Sequence, residues 1–67
     1  NYKVYSTENG LVIENNIRDS NIKASIYAIT GQLLRTISIS DNRTEIPLSP
    51  GIYIVVIDNR SYKVKVK

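Results

Sequence analysis

The chain has neither cysteine nor histidine among its 67 residues. The first absence excludes a disulfide framework and thiolate zinc sites, and the second removes the imidazole that serves most acid–base chemistry near neutral pH. Phenylalanine, tryptophan and methionine are missing too, so five tyrosines are the whole aromatic complement. Single-strand nucleic-acid sites combine a basic groove with clustered aromatic platforms, whereas Tyr2, Tyr5, Tyr27, Tyr53 and Tyr62 are scattered over four predicted strands. No apolar run reaches the roughly 18 residues of a membrane span, and no signal peptide opens the sequence. The chain is therefore either intracellular or a piece of a longer exported precursor.

Hydrophobic residues make up 42% of the sequence, too many for a disordered chain, and most are isoleucine or valine. Their branched Cβ favours a pleated sheet over a helix. A chain of this length forms one domain, 1–67, and buries only about 60% of the surface its unfolded form exposes.

Turn signals divide the chain into seven short strands. "YKVYST" runs into Asn9-Gly10, the pair suited to a type I′ turn, and "LVIEN" returns from it. The polar stretch from Asn15 to Asn21 reads as a longer connection that crosses between sheets. In "IKASIYAI", Ile22, Ala24, Ile26 and Ala28 share one face and Lys23, Ser25 and Tyr27 the other. Gly31-Gln32 turns the chain into "LLRTISIS", where strict alternation puts Leu33 on the face of Ile37 and Ile39, together with Arg35. Residues 41–44 read as a turn, and Pro47 in "EIPL" marks a sheet edge or a bulge because it lacks an amide donor. Pro50-Gly51 predicts a type II turn with Gly51 at positive φ. "IYIVVI" is apolar on both faces, the pattern of a central strand, and in "YKVKVK" Tyr62, Val64 and Val66 face inward and Lys63, Lys65 and Lys67 outward. The expectation is an all-β, seven-stranded antiparallel sandwich of immunoglobulin-like form, with Ile26, Leu33, Ile52, Ile54, Val56, Val64 and Val66 in its core.

Chemistry is sparse. Glu8, Glu14, Asp19, Asp41 and Asp58 fall at turns, connections or strand ends, and Glu45 on an edge strand, so no catalytic carboxylate pair is marked on one strand face. A serine or threonine nucleophile needs a base, and without histidine only lysine or a carboxylate remains. Asn42 and Asn59 begin N-x-[ST] triplets, but turn chemistry accounts for both. The net charge of +3 is a weak pointer to nucleic acid, and outward lysine is also how natural edge strands deter pairing with another chain. The reading is a non-enzymatic domain with no cofactor and no nucleic-acid partner.

The order of pieces is more specific than the composition. "ASIYAITGQLL", a polar hairpin, "IPLSPGIYIVVI", a short turn and a lysine–valine strand together resemble the C-terminal sorting domain of the type IX secretion system of Bacteroidetes. The matching positions are Ile26-Tyr27, Gly31-Gln32-Leu33, Leu48 to Tyr53, and Lys63 to Lys67. Ala28 stands where many members have Asn or Asp, and the Pro-Asn-Pro often found near the domain's start is missing. The resemblance implies a sandwich at the end of an exported cargo, recognised in the periplasm through elements such as Gly31, Gln32, Gly51, Tyr53, Lys63, Lys65 and Lys67. It implies as partners the upstream cargo, the outer-membrane machinery that carries it to the surface, and a sortase-like cysteine protease that removes the domain and joins the cargo to lipopolysaccharide. A terminal strand ending at Lys67 would then be presented to a receptor. A structural or adhesive immunoglobulin-like module of a surface protein shares the same strand pattern and remains the alternative.

Overall fold

A computed structural model describes residues 2–15, 22–39 and 41–67. The chain order is β1 (Tyr2–Thr7), β2 (Gly10–Asn15), β3 (Ile22–Ala28), β4 (Leu33–Ile39), β5 (Arg43–Pro47), β6 (Gly51–Ile57) and β7 (Arg60–Val66), with no helix among the described residues. The strands form two antiparallel sheets, a three-stranded one in the order β1-β2-β5 and a four-stranded one in the order β4-β3-β6-β7. They pack face to face as a sandwich, and β7 at the edge of one lies against β1 and β2 of the other. The connection read between Asn15 and Asn21 has residues 16–21, including Asp19, outside the described residues.

The core lies between the sheets. Leu11, Ile13 and Ile46 come from the three-stranded sheet and Ala24, Ile26, Ile39, Val55, Ile57 and Val64 from the other, with Tyr53 and Tyr62 packed at its margin. Full burial of an aliphatic side chain of this size is worth about 1.5 to 3 kcal/mol. Val12 is buried as well, on the far face of β2 between Tyr5 and Glu45 of the flanking strands.

Five expectations need correction. On β6 the inward residues are Val55 and Ile57, not Ile52, Ile54 and Val56; Ile54 and Val56 are half-buried and Ile52 is exposed. A run apolar on both faces does not state which face points in. The pairing with β7 decides it, because Tyr53 opposes Val64 and Gly51 opposes Val66. Leu33 is likewise exposed rather than core. Ile26 pairs with Arg35 but Tyr27 pairs with Leu33, so Leu34 is an extra residue in a β-bulge and the alternation reverses there.

The other three corrections concern turns. Gly51 is not at positive φ; the glycines that are, Gly10 (φ 145°) and Gly31 (φ 97°), stand elsewhere. Thr7 pairs with Gly10, so the first hairpin turns through Glu8-Asn9, while the two consecutive positive φ values of a type I′ turn occur at Asp58 (50°) and Asn59 (66°). Arg43 and Thr44, read as turn, begin β5, which among the described residues pairs with β2 alone and so keeps Pro47 on an edge strand.

Candidate functional site

The positions singled out in the sequence gather at one end of the four-stranded sheet, and register explains why. Ala28 opposes Tyr53 across β3 and β6, Tyr53 opposes Val64 across β6 and β7, and Gly51 and Ile52 oppose Val66 and Lys65. The turn after Ala28 and the start of β6 therefore share an end with the close of β7. Gly31, Gln32, Gly51, Tyr53, Lys65 and Lys67 come together there, and Lys63 stands one outward row nearer the middle, opposite Ile54.

Each piece is held by local geometry. The Gly31 amide donates to the Ala28 carbonyl and the Ala28 amide to the Gln32 carbonyl, both at 2.9 Å. This closes a tight hairpin whose third loop residue needs positive φ, which Gly31 supplies. Gln32 and Leu33 leave the turn exposed. On β6 the Tyr53 side chain faces inward and its hydroxyl donates to the Ser49 carbonyl at 2.6 Å. The ring lies over Gly51, where an added Cβ would sit 3.5 Å from the hydroxyl oxygen. Gly51 and Tyr53 thus fasten the connection between β5 and β6 rather than face solvent as contact residues. The type I′ turn at Asp58-Asn59 pairs Ile57 with Arg60, and that register sends Lys63 and Lys65 outward beside Ile54 and Ile52.

The outward positions of the four strands are Lys23, Ser25 and Tyr27 on β3, Leu33, Thr36 and Ser38 on β4, Ile52, Ile54 and Val56 on β6, and Ser61, Lys63 and Lys65 on β7. They include three lysines and no carboxylate. Tyr27 joins Leu33 to Ile54 in one row that ends at Lys63, and Ile52 beside Lys65 extends it. At the sandwich edge Lys67 stands beside Ser6, Thr7 and Glu8 in a shallow cleft, so the C-terminal ends of β1 and β7 meet.

Two features escaped the sequence reading. Gly10 is needed for space as well as φ, since a Cβ there would meet the Ile46 carbonyl oxygen at 2.2 Å and the Leu48 nitrogen at 2.7 Å. The Tyr5 hydroxyl donates to the Glu14 carboxylate on the outer side of the three-stranded sheet, and that hydrogen bond raises the phenol above its ordinary range near 10.0. Alternation of Tyr5 and Glu14 on one face was a legible signal for the pair once the hairpin register was known. Among the described residues no cluster of acidic side chains is arranged to hold a metal ion.

Comparison with protein families gives a match over residues 6–67 to a family described as the secretion system C-terminal sorting domain. No curated protein and no solved structure matches the chain.

Proposed function

The chain belongs to the secretion system C-terminal sorting domain family, and on that premise we propose that it is a non-catalytic export signal read from the folded four-stranded sheet. Membership makes it a type IX sorting signal, one that implies a cargo precursor, the secretion machinery, and export across the outer membrane to the cell surface or the extracellular space. The match over residues 6–67 carries the reading, because it spans all seven strands apart from the start of β1 rather than a single motif.

In the proposed mechanism the cargo arrives in the periplasm with this domain attached, and the machinery reads the sheet end formed by Gly31, Gln32, Lys63, Lys65 and Lys67. Gly51 and Tyr53 hold the frame on which those residues stand. A sortase-like cysteine protease then removes the domain at the surface and joins the cargo to lipopolysaccharide. The lysines supply charge-assisted hydrogen bonds of fixed direction, since alternation along β7 keeps them outward while Val64 and Val66 anchor the strand inside. Acid–base catalysis has no part in this reading.

The test is a reporter fused ahead of Asn1 in a bacterium that has this secretion system, beside a strain lacking its outer-membrane translocon. The expected result is reporter at the surface of the first strain and in the periplasm of the second. Equal retention in both would remove the sorting reading. A catalytically dead sortase-like protease should leave the reporter uncleaved and still carrying the domain; unchanged processing would remove the protease from the scheme.

A further inference from the structure

We propose that the outward face of the four-stranded sheet, an apolar patch bordered by lysines, docks onto a partner protein whose own apolar contact surface is bordered by aspartate and glutamate side chains, an inference that rests on the sorting reading. Scattered exposed aliphatics are ordinary, but contiguous ones mark an interaction site. Leu33 is 52% exposed and Ile52 39%, and they belong to the patch built around Tyr27 and Ile54. Ile29 at 52% and Leu34 at 46% extend the exposed apolar surface at the same end of the sheet. Leu34 is there because of the bulge, and it sits with Leu33 on an edge strand where natural sheets place charge.

Charge names the partner's chemistry. Lys63 and Lys65 border the patch along β7, Lys23 lies on the same face, and no outward strand position carries a carboxylate. A surface with carboxylates around an apolar centre complements this face in both respects, with the apolar centre giving affinity and the rim giving orientation and rate. A single-stranded nucleic acid would need stacking rings, and Tyr27 is the one aromatic on these outward positions. A lipid surface takes an apolar group that protrudes into the acyl boundary, whereas Ile52 and Ile54 lie on the flat of a sheet between neighbouring strands.

The experiment uses the reporter fusion in the secreting bacterium, with a photo-crosslinking residue at Leu33 or Ile52 and, as a control on the opposite sheet, at Glu45. Lys63→Glu with Lys65→Glu reverses the rim, and Ile52→Asp spoils the centre; each variant's folding is checked by circular dichroism and thermal melting of the purified fusion. The expected result is a protein adduct from Leu33 and Ile52 but not from Glu45. The lysine variant should lower both adduct and surface reporter at least about tenfold, the size of one lost interface anchor. Ile52→Asp should lower surface reporter similarly. Sedimentation of the parent fusion with phosphatidylethanolamine–phosphatidylglycerol vesicles, lost in the lysine variant, would assign the face to lipid and overturn the proposal. Equal adducts from all three positions, or full surface delivery by both folded variants, would overturn it while leaving the sorting reading intact. A parent fusion that never leaves the periplasm would remove both.

Discussion

The Tyr53 hydroxyl reaches back four residues to the carbonyl oxygen of Ser49 and closes the connection into β6. Removing it in Tyr53→Phe keeps the ring over Gly51 and leaves the carbonyl to water, so the expected loss is about 0.5 to 1.5 kcal/mol. Urea unfolding of the purified fusion measures it. An unchanged midpoint would show that the contact contributes nothing.

The two positive-φ glycines should respond differently to alanine. At Gly31 the space beyond Cα is open, so only the backbone conformation is penalised, at about 1 to 2 kcal/mol. At Gly10 the new Cβ would meet backbone atoms of Ile46 and Leu48, which have no side-chain freedom to yield. Gly10→Ala should therefore lower the melting temperature further than Gly31→Ala, and the reverse order would contradict the packing described at the first hairpin.

Face assignment on β6 is open to a paired test. Ile57→Ala empties a fully buried site and should cost about 2 to 5 kcal/mol, as large aliphatic truncations do. Ile52→Ala removes a half-wet side chain and should cost less than about 1 kcal/mol. Denaturant midpoints of the two variants decide the matter; if Ile52→Ala proved the costlier, the inward face would be the other one.

Tyr5 gives a pH prediction. Its folded pKa is raised by the Glu14 hydrogen bond first, with burial and the Glu14 charge adding to the same effect. The neutral phenol is the form that donates, so the contribution is present below the unfolded value near 10 and is lost as pH rises through the folded value. Ultraviolet titration of the parent minus Tyr5→Phe isolates this ring. Glu14→Gln should move its midpoint downward, and a midpoint that stays put would separate the shift from Glu14.

How much of this was legible depends on what each signal encodes. Alternation in "YKVKVK" states which residues share a face, and one face was apolar and the other charged, so the inward set could be named. In "IYIVVI" both faces are apolar, and the choice rests on pairing with β7, which no local pattern contains. Leu33 was misplaced because strict alternation assumes an unbroken ladder, and the extra residue at Leu34 breaks it. Asn9-Gly10 was the strongest type I′ pair by composition, yet that geometry occurs at Asp58-Asn59, where aspartate and asparagine tolerate positive φ. The candidate site was legible as an order of motifs; its gathering at one sheet end belongs to register.

The meeting of β1 and β7 at Lys67 gives the domain a sense of time. A chain emerging in sequence order can form the β1–β2 hairpin early, but β3 gains its β6 neighbour only after some 25 further residues, and the seam against β1 waits for β7. Pairings so distant in sequence are slow to form because a long loop must close first. The outward face of the four-stranded sheet lacks its Lys63 and Lys65 border until β7, the seventh strand in chain order, is in place. A receptor that reads this face is thereby reading a domain folded through its seventh strand, and a chain that has not yet delivered β7 offers it no lysine border to hold.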